Sequence, residues 1–162
     1  MKFKIVQLAQ FNGSKAGIYS VYLFDEQKTL FERFLRDNID AFKSEILNIN
    51  KTIVAINKKT GAREIFFKHN EGNPGDGVCA LYDEPIKNLR LYCIRYGNSL
   101  VLLGGGGLKP KSIRKLQEDN KLREENYIMR KISALITERI KADEIQFSDN
   151  GIELFGNLEF EE

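Results

Sequence analysis

The stretch SLVLLGGGGLKPKSIRK, residues 99–115, does most to limit what this chain can fold into. Leu100-Val101-Leu102-Leu103 leads into four consecutive glycines. A strand with one wet face alternates apolar and polar side chains. This run does not, so it is expected to be a central strand covered on both faces. Glycine loses more conformational freedom on folding than any other residue, so four in a row are costly for an ordinary corner. Either some group must approach the backbone closely, or the strand exit must flex. A P-loop is ruled out at its most specific positions. That motif needs Gly, four residues, then Gly-Lys-Ser/Thr, whereas Lys109 follows Leu108 and precedes Pro110.

The segments around this strand show two periods. MKFKIVQLAQF sets Phe3, Ile5 and Leu8 among polar residues, and Ile18–Phe24 is β-branched and aromatic. With the turn residues 12–17 between them, they read as a strand hairpin. Asp25 is placed to cap a helix. Leu30, Phe31, Phe34 and Leu35 then form a helical stripe. Ile39, Phe42, Ile46, Ile49, Ile53 and Ile56 recur at steps of 3, 4, 3, 4 and 3, the spacing of one helix face. An interruption at 38–40 makes this a helical hairpin or one kinked helix, stopped by Lys58-Lys59-Thr60-Gly61. Strands are expected at Arg63–Lys68, Val78–Tyr82, Leu89–Tyr96 and Leu100–Leu103, with turn chemistry at 69–77 and at Gly97-Asn98. A helix is expected from Ser112 to about Lys141, broken near Glu118-Asp119-Asn120. A C-terminal hairpin, Glu144–Phe147 and Ile152–Phe155, turns at Asn150-Gly151. The expectation is one α+β domain over 1–162: a mostly antiparallel twisted sheet with helices packed on it, plus a C-terminal β-hairpin.

Composition narrows the function. Lys and Arg number 25 against 23 Asp and Glu, a net charge of +2. That permits a nucleic-acid partner without arguing for one. No apolar run approaches the roughly 20 residues needed to span a bilayer. The N-terminus reads as a strand rather than a signal peptide, so a cytoplasmic protein without a membrane partner is expected. Cys79 and Cys93 lie in apolar strand-like runs without zinc-site spacing, which predicts free buried thiols. A single histidine, His69, excludes a His-rich metal cluster and argues against a Ser-His-Asp triad. No metal or cofactor is expected.

The candidate chemistry sits on the meander. In a strand, Arg90, Tyr92, Ile94 and Tyr96 share one face, and Leu91, Cys93 and Arg95 the other. Guanidinium and phenol groups with Lys109 and Lys111 nearby can grip a phosphodiester and stack a base. The same residues are also ordinary occupants of an exposed sheet face. His69 is either a loop residue or a general base. The charged segment KLREENYIMRK and the C-terminal LEFEE read as solvated faces, or as docking sites for a partner.

Residues 88–112, NLRLYCIRYGNSLVLLGGGGLKPKS, resemble the HigB-like branch of the RelE/ParE toxins of bacterial toxin–antitoxin systems. The resemblance rests on an Arg-bearing strand (Arg90), an apolar strand ending in small residues (Leu102-Leu103-Gly104) and a lysine pair (Lys109, Lys111). The order of strand, helical hairpin, three-stranded meander and helix over about residues 27–140 agrees with it. It implies a small sheet with helices packed on one face, and metal-independent mRNA endoribonuclease activity, which many such toxins exert in the ribosomal decoding site. It also implies a cognate antitoxin of helix-turn-helix type. Under it, Arg90 and Lys109 or Lys111 would hold phosphate, Tyr92 would stack a base or transfer a proton, and His69 would act as base. Tyr96, Arg95, Lys68 and Arg63 would complete an RNA-binding set. The chain departs from the pattern in its N-terminal strand, tetraglycine, long final helix, C-terminal hairpin and weak net charge. A gyrase-inhibitor-type relative or a non-catalytic protein-binding module is the alternative.

Overall fold

The structure is a computed structural model and describes residues 1–69, 71–73, 75–110 and 115–162. Its elements are β1 (Lys2–Gln7), β2 (Gly17–Leu23), β3 (Lys28–Thr29), α1 (Leu30–Asn38), α2 (Lys43–Ala55), β4 (Phe67–Lys68), β5 (Val78–Leu81), β6 (Leu89–Tyr96), β7 (Leu100–Leu108), α3 (Lys115–Lys141), β8 (Ile145–Phe147), β9 (Leu154–Gly156) and β10 (Glu159–Glu161). An eight-stranded sheet runs in the order β10-β1-β2-β7-β6-β5-β4, with β3 on β2, and β8 pairs with β9 separately. Among the described residues only β2 and β7 are parallel; the other pairs are antiparallel. The α+β class and the mostly antiparallel sheet are as expected. β10 was not foreseen: it returns the chain to β1, pairing Phe160 with Phe3, whose rings stack.

Helices cover both faces of the sheet, where the resemblance implies one. On one face α3 packs Met129, Ile132 and Ile136 onto Ile5, Val21, Ile94, Leu100 and Leu102. On the other, α1 and α2 pack Phe31, Phe34, Ile46 and Ile53 onto Ile18, Leu91, Cys93, Val101 and Leu103. Successive β7 residues therefore serve opposite cores, which is why the run Leu100–Leu103 shows no alternation.

Local chemistry sets the helix ends. The Thr29 hydroxyl accepts from the Glu32 N–H while Glu32 Oε1 accepts from the Thr29 N–H, a reciprocal cap at the start of α1. The cap is Thr29 rather than Asp25. After α2 the chain makes a wide π-helical turn, Ile56–Thr60, ended by Gly61 at φ +76°. Only glycine adopts that angle without strain. Buried Asn57 donates to the Ala16 carbonyl at 2.8 Å and accepts from the Gly13 N–H at 2.8 Å, which fastens the helical layer to the β1–β2 loop.

Several sequence expectations need correction. Arg63–Lys68 is not a full strand: Glu64–Phe66 is a 3₁₀ turn, and only Phe67–Lys68 pairs with β5. The stretch 118–120 does not break α3, which is continuous. The proposed helix start at Ser112 lies outside the described residues. The glycines are not a strand exit: Gly104–Gly107 lie inside β7, which continues to Leu108. Cys79 and Cys93 face each other across β5 and β6 as buried free thiols.

Candidate functional site

The tetraglycine forms a bulge beneath α3. Leu91 pairs with Gly106 and Cys93 with Leu103, so Tyr92 opposes both Gly104 and Gly105. A Cβ on Gly104 would overlap the Met129 sulfur, and one on Gly105 would overlap the Glu125 carboxylate. A Cβ on Gly106 would overlap the Arg90 carbonyl oxygen. Gly104, Gly105 and Gly106 are there because Met129 and Glu125 of α3 and the Arg90 carbonyl of β6 occupy the space a Cβ would need. Glu125 is 2% exposed; its Oε1 accepts from Arg33 of α1 at 2.7 Å and from Lys121 at 2.7 Å. Close approach of α3 thus brings the helix face 123–130 beside the start of β6.

The ends of four strands meet at this point. Asp83 follows β5, Arg90 begins β6, Lys109 follows β7 and Lys68 ends β4. Asp83 Oδ2 accepts from Arg90 Nε at 3.1 Å. Asp83 Oδ1 lies 3.0 Å from Lys109 Nζ and 3.5 Å from Lys68 Nζ. Lys109 also donates to the Glu84 carbonyl at 2.8 Å. Burial acts to raise the Asp83 carboxyl, but the hydrogen bonds and charges of Arg90 and Lys109 hold it below the usual aspartate value. Burial likewise lowers Arg90, yet the hydrogen bond and charge of Asp83 bring it above its ordinary value. The ionised pair fixes the guanidinium in place.

Arg90 and Tyr92 form the floor of a groove of about 450 Å³. Glu71 and Pro110 flank it, and α3 supplies Leu122, Arg123, Asn126, Tyr127 and Arg130. Glu71 Oε1 is 3.9 Å from an Arg90 terminal nitrogen, and its carbonyl accepts from Asn126 Nδ2 at 2.7 Å. Three arginines therefore line a groove with one carboxylate. Arg123 and Arg130 have no ion-pair partner among the described residues. The Tyr127 ring is 61% exposed beside them. Burial and the nearby Glu71 charge raise the Tyr92 hydroxyl, only partly offset by Arg90.

The structure sorts the sequence candidates by place. Lys68, Arg90, Lys109 and Tyr92 lie together, while Lys111 lies outside the described residues. His69 lines a separate depression with Gly72, Asn73 and Arg95. Arg95 donates to the Ala62 carbonyl at 2.7 Å and, with Arg63, borders another depression at the far end of β6. Five residues of strand, about 17 Å, separate Arg95 from Arg90. Tyr96 faces the α3 core against Phe147, and its enclosed hydroxyl has no hydrogen-bond partner. Burial raises that hydroxyl far above the usual phenol value, with a smaller contribution from Asp76. Tyr96 therefore offers no face for a base. Sequence reasoning missed Asp83 and Glu71, and held Arg123, Asn126, Tyr127 and Arg130 only within KLREENYIMRK, as a solvated face or a docking site. The last four did carry a signal, since polar residues at i, i+3, i+4 and i+7 share one helix face.

Among the described residues no group of three or more His, Cys, Asp or Glu side chains gathers as a metal site. None of the helices described is long and apolar enough to cross a membrane. Compared with known proteins, the chain matches no family model, no curated protein and no solved structure.

Proposed function

We propose that this protein binds single-stranded RNA in the groove between β6 and α3, as the recognition half of a RelE/ParE-toxin-like activity in the bacterial cytoplasm. One observation carries the reading: Arg90, Arg123 and Arg130, from two elements, line one groove together with Tyr92 and exposed Tyr127. Arginine suits phosphate because its planar fork donates two parallel hydrogen bonds. Arg123 and Arg130 are seven residues apart, about 10 Å along a helix, with Tyr127 between them. That spacing sets two phosphates on either side of a stacked base. Stacking requires an unpaired base, which favours a single strand over a duplex. The order of β2, the α1–α2 hairpin, the β5-β6-β7 meander and α3 supports the toxin-like reading, with an antitoxin as its expected partner.

Cleavage would need a base for the 2′-hydroxyl and an acid for the leaving oxygen. The Tyr92 hydroxyl is raised by burial, Lys109 is occupied by Asp83 and Glu84, and His69 faces elsewhere. The described groove supplies phosphate grip and stacking, and its one carboxylate, Glu71, lies 3.9 Å from Arg90. The test is fluorescence anisotropy with labelled single-stranded RNA and its duplex, followed by a denaturing gel of the same samples. Single-strand binding with intact RNA is expected, lost in the Arg123→Ala, Arg130→Ala double variant. Equal affinity of the double variant would sink the reading. Cleaved RNA in the presence of a chelator would extend it to the endoribonuclease.

A further inference from the structure

A second feature, between α2 and the β4 edge of the sheet, is not used by the RNA groove. A cavity of about 210 Å³ is walled there by Ile49, Phe66, Leu81, Leu89 and Leu91. Ile65 and Tyr82 also line it, 74% and 58% exposed. Ile86, 79% exposed, lies in the short loop whose Glu84 and Lys87 line the same cavity. Grouped apolar side chains left in water around an apolar hollow mark an interaction site. The edge beside them is open: β4 is the last strand of the sheet, two residues long, with no outer neighbour among the described residues.

The charge of the lining narrows the occupant. Glu45 accepts from the Asn88 N–H at 2.9 Å, the Asn88 side-chain amide at 2.7 Å and the Leu89 N–H at 3.1 Å. All three donors are neutral, and Glu45 sits in the first turn of α2, so the carboxylate is held in place without a countercharge bonded to it, Lys87 being the one basic residue of the lining. Neither Glu45 nor Glu84 has a cation within ion-pair distance among the described residues. Asp83, in the same wall, is by contrast neutralised by Arg90 and Lys109.

We propose that this groove docks an extended segment of a partner polypeptide that alternates basic and aliphatic residues. Its main chain adds along β4, one aliphatic side chain fills the cavity between Leu81, Leu89 and Ile49, and a lysine or arginine faces Glu45 and Glu84. Strand addition supplies affinity through main-chain hydrogen bonds, while the cavity and the carboxylates supply selectivity. The site lies on the α1–α2 side of the sheet and the RNA groove on the α3 side, so the two are separable by mutation.

The probe is a short fluorescein-labelled peptide alternating lysine with valine and leucine, titrated against the full chain by anisotropy. Its counterpart with glutamate in place of lysine is the control. The lysine peptide should bind at least about tenfold more tightly than the glutamate peptide, a difference of about 1.4 kcal/mol. Ile65→Ser with Ile86→Ser should weaken it by a similar factor, and Glu45→Gln should reduce the preference for lysine. Both substituted isoleucines are exposed, so the thermal midpoint and the RNA affinity of the double variant should stay at wild-type values. Equal binding of the two peptides, or unchanged binding by the double variant, would overturn the proposal. So would self-association of the wild type that the double variant abolishes, since the occupant would then be a second copy of the chain.

Discussion

Asp83 is the residue on which the site turns, because one carboxylate holds cations from three strands. Replacing it with alanine leaves Arg90 with only Glu71 at 3.9 Å and Lys109 with only the Glu84 carbonyl, both mostly buried, and should cost about 3 kcal/mol in urea unfolding. The pH dependence follows from its lowered value in the fold. A carboxyl depressed by folding adds stability above its unfolded value, near pH 4, and loses it as pH falls through the folded value. Unfolding midpoints measured below about pH 4 should therefore drop in the wild type with a component missing from Asp83→Asn. Tyr96 makes the opposite case. Its hydroxyl is enclosed without a partner, so Tyr96→Phe removes an unsatisfied group and should leave stability equal or slightly higher. RNA affinity should be unchanged in that variant, which calorimetry and anisotropy can check together. The sequence placed Arg90, Tyr92 and Tyr96 on one strand face, and alternation alone could not separate them. What separates them is that Arg90 lines the groove with Arg123 and Arg130 of α3 whereas Tyr96 packs against Phe147 of β8, a fact of packing between distant segments.

Among the elements, β7 and α3 decide whether the groove exists. The glycines let the helix lie close, and the cost of adding a methyl group should follow what each would strike. Gly106→Ala meets a backbone carbonyl and should cost about 3 kcal/mol, near the top of the overpacking range. Gly104→Ala meets the flexible Met129 side chain and should cost less. Gly107→Ala meets Lys121 Cγ only at 3.2 Å and should be tolerated best. Thermal denaturation of the series tests that order, and a flat response would contradict close packing as the reason for the glycines. Their rarity was legible in the sequence, and so was the need for close approach. The approaching partner was not: helix periodicity in 115–141 marked Met129 and Glu125 only as members of a long amphipathic segment. Strand continuation through glycine was also hidden, because glycine has low strand propensity and here the requirement comes from space beneath α3. REIFFK failed as a strand for the converse reason: its composition suits β-structure, but only Phe67 and Lys68 find a neighbour in β5.

For the whole molecule, the sheet separates two surfaces. The α3 side carries the arginine groove, and the α1–α2 side carries the apolar cavity at the β4 edge. The net charge of +2 made a nucleic-acid ligand look weakly supported. A sum over the chain cannot show that Arg90, Arg123 and Arg130 line one groove while acidic residues such as Glu45, Glu84 and Glu162 lie elsewhere. That Leu100–Leu103 is covered on both faces followed from hydrophobic patterning, whereas the strand order with β2 parallel to β7 did not, and β10 is too short to leave a pattern of its own. The salt dependence of RNA binding tests the central claim most directly. Each phosphate neutralised on a single strand contributes about 0.7 to the slope of log affinity against log salt. Titrating labelled single-stranded RNA across a salt series, the account predicts that Arg123→Ala and Arg130→Ala each flatten the slope by about 0.7, while Arg95→Ala leaves it unchanged. A slope that Arg95→Ala reduces and the α3 variants do not would place the phosphate site at the far end of β6 and contradict the account.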